Sequence, residues 1–316
     1  MKKVKKLSAL KKKDRTNFQK DVTAVSLPCI FFMMLSLIIA YIGLFLGFDT
    51  RHQEYFGICY LLYCAITIGI IYLTNKDYVL DRLTPREKPT LKAFGAGLTS
   101  LIAMMVWFTI PVVLLDMLLG TFGFTLENLA PANSASDGIT EFIYVAIIGP
   151  ICEEIIFRGF VQRRLEKYSP VVAIVTSAIM FGLFHGNFGQ LFPMIGTGLV
   201  FGYMAYKYSI KMSIAIHVTY NLVMGELFGM LTDFLEKGGE EFLLPIIEMS
   251  PFTAVMMVMA SIGVVVIAKK ALTGTFPLNE YRWKLKNLLY SFTSSGMMIF
   301  FTTAFCMCIH FIEKLP

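Results

Sequence analysis

Two adjacent carboxylates and a guanidinium interrupt an otherwise apolar stretch at Glu153, Glu154 and Arg158. A charged side chain near the bilayer centre costs about 2.5–3.5 kcal/mol on insertion scales, so such groups usually pair or serve a function. Glu154 and Arg158 are four residues apart and share a helix face, which predicts an ion pair, whereas Glu153 points about a quarter-turn away. Pro150 lacks an amide hydrogen and would free the carbonyl of Ala146. We therefore expect a kink that leaves the glutamates in the first turn beyond it.

Polar side chains recur in two of the following apolar stretches. His185 comes four residues after Phe181, and His217 comes four residues before Asn221, so each pair shares a helix face. Each polar group needs a partner in hydrocarbon, which predicts that they meet the glutamates in one intramembrane cavity. His185 is the difficult member, because it would lie roughly 21 Å from the cytoplasmic end of its helix, against roughly 9–14 Å for the others.

This set of side chains fits peptide hydrolysis without a covalent intermediate. A glutamate can take a proton from water and later give it to a leaving amine, while an imidazole orients the water. An amide or imidazolium can stabilise the oxyanion. The alternative is a Zn²⁺ ion bound by His185, His217 and a glutamate, a ligand set that leaves an open position. The sequence has neither the HExxH motif of zinc proteases nor the Gly-x-Ser-Gly of serine proteases.

Three short motifs occur in order on successive apolar segments. They are EExxxR at Glu153, Glu154 and Arg158, FxxxH at Phe181 and His185, and HxxxN at His217 and Asn221. With these motifs the chain resembles the CPBP family of intramembrane proteases, also called the Abi family, which includes CAAX prenyl proteases and bacteriocin-processing enzymes. The resemblance covers residues 142–225, about a quarter of the chain.

The resemblance implies a role for each motif residue. Glu153 would be the base that activates water, His185 would assist it, Glu154 and Arg158 would hold the site together, and His217 with Asn221 would stabilise the oxyanion. The family mechanism has been described both as metal-dependent and as glutamate-based. We predict the glutamate mechanism, which needs no cofactor, with Zn²⁺ as its alternative. The family core commonly has eight spans.

The composition is that of a membrane protein. Of 316 residues, 56% are hydrophobic and only 16% are charged, and the mean hydropathy is +0.66. The fold class predicted is an all-α, polytopic transmembrane helix bundle of about 8–9 spans around an intramembrane cavity. Gly198 and Gly202 have the small-xxx-small spacing that lets membrane helices approach closely. The predicted spans are 27–48, 56–74, 91–119, 139–162, 171–185, 191–206, 212–231, 244–268 and 288–312.

The basic residues follow a membrane topology. Nine of the 28 Lys and Arg residues lie in the first 20 positions, and nine spans with a cytoplasmic N-terminus put 25 of the 28 inside. We therefore predict a basic cytoplasmic arm at 1–26 and a single integral membrane domain at 27–316, with a protease-like core at about 139–231. The short loops predict a multi-pass protein of a bacterial plasma membrane. The net charge of +6 is explained by this topology, so no nucleic-acid partner is expected.

Three functions are compatible with this pattern. The first is an intramembrane endopeptidase whose partners are the lipid bilayer and a membrane-associated peptide or protein substrate. The second is a non-catalytic immunity or scaffold protein of the same family. The third is a proton-coupled transporter with Glu153 and Glu154 as a relay. The presence of all six polar motif residues favours the protease, and the lack of an evident internal repeat argues against the transporter.

Overall fold

The computed structural model describes residues 2–47, 53–126, 136, 138–227, 229–230, 284–310 and 312–314. These residues are almost entirely helical, in agreement with the predicted all-α class. Four helices are long and apolar enough to cross a membrane, and they cover Arg15–Phe45, Tyr55–Asp81, Leu91–Gly120 and Phe188–Lys207. A helical membrane protein is therefore supported, while a total of eight or nine spans stays a prediction.

Among the described residues two three-residue strands pair antiparallel, with Thr125 opposite Glu313. In chain order the elements are α1 (Lys2–Phe45), α2 (Gln53–Asp81), α3 (Leu91–Gly120), β1 (Phe124–Leu126), α4 (139–165), α5 (Pro170–Phe184), α6 (Phe188–Lys207), α7 (210–227), α8 (Lys284–Phe292), α9 (Ser295–His310) and β2 (Ile312–Lys314).

Helix α4 contains two wide turns. Tyr144–Ile148 and Ile155–Gln162 are π-helical, and the Gly149 amide donates to the Tyr144 carbonyl five residues earlier. The chain stays helical through Pro150, so the glutamates do not follow a gap in the helix. In this five-residue register the amide that Pro150 lacks would have bonded the carbonyl of Val145, and not that of Ala146. The proline is accommodated by a change of register, and the glutamates lie within a continuous helix.

Other predicted spans differ from the structure at their ends. The predicted span 288–312 is divided into α8 and α9, because the Ser294 hydroxyl accepts the Met297 amide at 3.3 Å and so caps the start of a new helix. Helix α1 already begins at Lys2, so the basic arm is continuous with the first span. The predicted span 171–185 corresponds to α5, a helix of only 15 residues. The predicted span 244–268 lies outside the described residues.

The basic loops meet at one end of the bundle. Asp21 of α1 pairs with Arg164, at the end of α4, at 3.1 Å. Glu166, just after α4, pairs at 3.0 Å with Arg86, which lies between α2 and α3. The Arg86 amide in turn donates at 3.0 Å to the carbonyl of Tyr208, between α6 and α7. The four basic segments therefore lie on one side, as the predicted topology requires; that this side is cytoplasmic stays a prediction.

Helix α6 packs closely on α4 and α5 through its glycines. A Cβ atom on Gly198 would lie 3.0 Å from the Cα of Ala178, and one on Gly202 would lie 2.8 Å from Oε1 of Gln162. The backbone carbonyls of both glycines also accept hydrogen bonds from side chains of α4. Arg158 donates to Gly198 at 3.3 Å, and Gln162 donates to Gly202 at 3.0 Å. The predicted close packing at these two glycines is confirmed.

This packing can be tested by adding one methyl group. We expect Gly198→Ala to destabilise the protein by about 1–3 kcal/mol, because the new methyl group would press on the backbone of α5. Gly69→Ala is the matched control, since a Cβ atom there meets nothing within 4 Å. The measurement is thermal unfolding in detergent. Equal melting temperatures for the two variants would contradict the packing described.

Candidate active site

Glu154 and Arg158 form a fully buried ion pair. Both side chains have 0% exposure, and Nη1 of Arg158 lies 3.1 Å from Oε1 of Glu154, as their four-residue spacing predicted. Helix α7 completes the surroundings of the carboxylate. The Ser213 hydroxyl donates to Oε2 at 2.5 Å, and Nδ1 of His217 lies 3.2 Å from Oε1. One carboxylate therefore holds α4 and α7 together within the membrane.

His217 lies between the two glutamates. Its Nδ1 faces Glu154, and its Nε2 lies 3.7 Å from Oε2 of Glu153. That distance is too long for a direct hydrogen bond, but it is short enough for one water oxygen to contact both the imidazole and the carboxylate. The imidazole stacks on Phe201, with ring centroids 4.3 Å apart and planes at 24°. The Glu153 side chain is 22% exposed, so of the two glutamates it is the one that solvent reaches.

His185 lies just beyond the last residue of α5. Its Nδ1 is 2.8 Å from the carbonyl oxygen of Phe181. Because a carbonyl can only accept, Nδ1 carries the hydrogen and a neutral ring keeps its lone pair on Nε2. The Phe181 ring contacts both imidazoles edge to face, at 4.9 Å from His185 and 6.1 Å from His217. The shared contact with Phe181 places His185 beside His217, despite the greater depth that the sequence predicted for it.

The Arg158 guanidinium is held among aromatic rings. It lies 4.5 Å from the centroid of Phe181 and 5.1 Å from that of Phe201. These are cation–π distances, which partly replace the hydration that the buried cation has lost. Among the described residues its Nε and Nη1 atoms have no aligned hydrogen-bond partner, although Nη1 remains within ion-pair distance of Glu154. Electrostatic and aromatic contacts, more than hydrogen bonds, therefore hold this cation.

Asn221 begins a π-helical turn in α7 and bonds to the backbone of α4. Its Nδ2 donates at 2.9 Å to the carbonyl of Val145. This is the carbonyl that Pro150 leaves without a partner in the five-residue register of α4. Asn221 therefore ties the two helices together beside the cluster, and its amide nitrogen has a second hydrogen that this bond does not use.

The structure brings together five of the six predicted side chains and places the sixth at their edge. The five are Glu153, Glu154, Arg158, His185 and His217, and the sixth is Asn221. Sequence reasoning missed Ser213 and Phe201. Ser213 could have been found, because it precedes His217 by four residues and so shares its helix face. Phe201 had no such signal, since it reaches the site by tertiary packing of α6.

The zinc alternative was compared with the positions of the ligands it needs. Among the described residues, no group of three or more His, Cys, Asp or Glu side chains is placed to hold a metal ion. In both histidines Nδ1 is engaged, by Phe181 in one and by Glu154 in the other, which leaves Nε2 of each ring as the nitrogen that could bind a metal ion. As placed, however, the groups do not form a metal site within the described residues.

The family comparison matches the region that contains the cluster. Residues 135–223 match the model described as type II CAAX prenyl endopeptidase Rce1-like. No significant match was found among curated proteins or solved structures. The matched region includes all three motifs on which the resemblance to the CPBP family was based. That resemblance is confirmed over residues 135–223, where the chain is similar to Rce1-like type II CAAX prenyl endopeptidases.

Proposed function

We propose that this chain is an intramembrane endopeptidase that hydrolyses a peptide bond with a water molecule activated by Glu153. The observation that carries the proposal is the contrast between the two glutamates. Glu154 is fully buried and engaged by Arg158, His217 and Ser213, whereas Glu153 is 22% exposed and 3.7 Å from His217. One carboxylate is thus committed to structure, and the other is free to exchange protons. The family match supports intramembrane protease activity in general.

In the proposed reaction Glu153 acts first as a base and then as an acid. It takes one proton from water while the water oxygen bonds to the carbonyl carbon of the substrate. The resulting tetrahedral intermediate then loses its amine as the C–N bond breaks, and Glu153 returns the proton to the amine nitrogen. The free Nε2 lone pair of His185 can accept a hydrogen bond from the other O–H of the water and so orient the attacking oxygen.

The opposite side of the cavity would stabilise the oxyanion. His217 is fixed through Nδ1 by Glu154, so a hydrogen on its Nε2 would point toward the space beside Glu153. The unused amide hydrogen of Asn221 is the second candidate donor.

The substrate class follows from where the cluster lies. The groups are on apolar helices, so the proposed substrate is a membrane-associated peptide or protein. We place the enzyme in a cell membrane as a multi-pass protein with a cytoplasmic N-terminus, because the basic segments lie at one end of the bundle. The proposed catalytic residues all lie within the protease-like core at 139–231.

The role of Glu153 can be tested by an isosteric substitution. We expect Glu153→Gln to reduce cleavage of a membrane-tethered peptide by about 10²–10⁴-fold, since a general base contributes about that much. Its melting temperature in detergent should change little, because the Glu153 side chain makes no hydrogen bond within the described residues. Glu87→Gln is the matched control, as its carboxylate pairs with Lys207 at a distance from the cluster. Full cleavage by Glu153→Gln would exclude Glu153 as the base.

Glu154 should respond differently to the same substitution. Glu154→Gln removes the negative charge that Arg158 faces, and breaking one side of a buried pair typically costs about 3–5 kcal/mol. We expect this variant to lose both activity and thermal stability, whereas Glu153→Gln loses activity alone. Measuring cleavage and melting temperature for both variants separates the two glutamates. Equal stability losses would contradict the division of roles.

Metal dependence is tested directly with a chelator. We expect purified protein to keep its activity after treatment with a zinc chelator, because the proposed steps use only side chains and water. A non-chelating isomer of the same compound controls for inhibition by occupancy. Loss of activity that only the chelator causes, with recovery on adding Zn²⁺, would replace this mechanism by the metal-dependent one.

A further inference from the structure

Ser213 makes the shortest hydrogen bond to the buried carboxylate. Its side chain is fully buried, and its hydroxyl lies 2.5 Å from Oε2 of Glu154. The same hydroxyl lies 3.2 Å from the carbonyl oxygen of Phe201. A serine hydroxyl has one hydrogen, and a hydrogen bond to an ionised acceptor is shorter and stronger than one to a neutral acceptor. The hydrogen is therefore directed at Glu154.

Ser213 and His217 lie on one helix and contact the two carboxylate oxygens of Glu154. They are four residues apart on α7 and contact Oε2 and Oε1 respectively. A serine within a helix commonly bonds to the carbonyl four residues earlier on its own helix, but this hydroxyl reaches across to α4. With both oxygens engaged, the carboxylate plane cannot rotate without breaking one of the contacts. The position of Oε1 is thus set in part by Ser213.

We propose that Ser213 is a positioning residue that holds Glu154 so that His217 keeps its hydrogen on Nδ1 and presents Nε2 to Glu153. This inference rests on the proposed function, since it concerns the same site. Ser213 does not face the reacting atoms; it acts through Glu154. Side chains that orient a functional histidine through a carboxylate typically contribute about 10–100-fold to activity.

The chain offers a matched control for deleting the hydroxyl. Ser177 has 1% exposure, and its hydroxyl donates at 2.8 Å to the carbonyl of Phe157, so it also joins another helix to α4. We expect Ser213→Ala to lower kcat about 10–100-fold with KM nearly unchanged, because substrate contacts are retained. Ser177→Ala should keep the wild-type kcat. Ser213→Cys, with a similar shape and a weaker donor, should give an intermediate kcat.

A second measurement judges the hydrogen bond without using activity. Melting temperatures are compared for Ser213→Ala, Glu154→Gln and the double variant. If the two side chains act together, the loss in the double variant is smaller than the sum of the single losses. Ser177→Ala combined with Glu154→Gln should instead give additive losses.

The outcomes separate this inference from the function on which it rests. An unchanged kcat in Ser213→Ala with an active wild type, or additive losses for Ser213→Ala and Glu154→Gln, overturns the positioning role alone. A folded wild type that cleaves no membrane-tethered peptide overturns the proposed function and the positioning role with it. A selective loss of kcat together with non-additive melting temperatures supports both.

Discussion

The buried carboxylate of Glu154 is the constraint on which the rest of the site depends. An ion taken out of water loses several kcal/mol of solvation even after the protein relaxes, and this loss is offset only if every lone pair is well engaged. Arg158, His217 and Ser213 provide that engagement from two helices. Each of these side chains is in turn fixed by Glu154. The same contacts therefore determine both the packing of α4 against α7 and the orientation of His217.

The wide turns of α4 show where sequence reasoning stopped. The four-residue spacing of Glu154 and Arg158 predicted their pair correctly, although Arg158 lies in the π-helical segment Ile155–Gln162. The register change around Pro150 left no mark in the hydrophobic pattern, so it was not predicted. The partner of Val145 could not be predicted for the same reason. Asn221 donates to a carbonyl that lacks a backbone donor only in the five-residue register.

The histidines show a second limit of the sequence. Counting residues along a straight helix placed His185 too deep for the other groups, yet its ring shares Phe181 with His217. The close approach of α6 to α5 at Gly198 is a matter of tertiary packing, which counting along one helix does not include. Ser213 was overlooked because a single serine in a membrane helix usually serves packing. Motif spacing thus identified the charged members of the cluster but not the neutral residues that position them.

The proposed mechanism needs two adjacent glutamates because one helix position cannot serve both roles. Consecutive residues point about 100° apart on a helix, so a face that buries Glu154 against α7 turns Glu153 aside. Burying both carboxylates would require a second fully enclosed cation, and Arg158 is already engaged by Glu154. His217 joins the pair instead, with one nitrogen on each glutamate. In the proposed mechanism the imidazole therefore connects the buried carboxylate of Glu154 with the base Glu153.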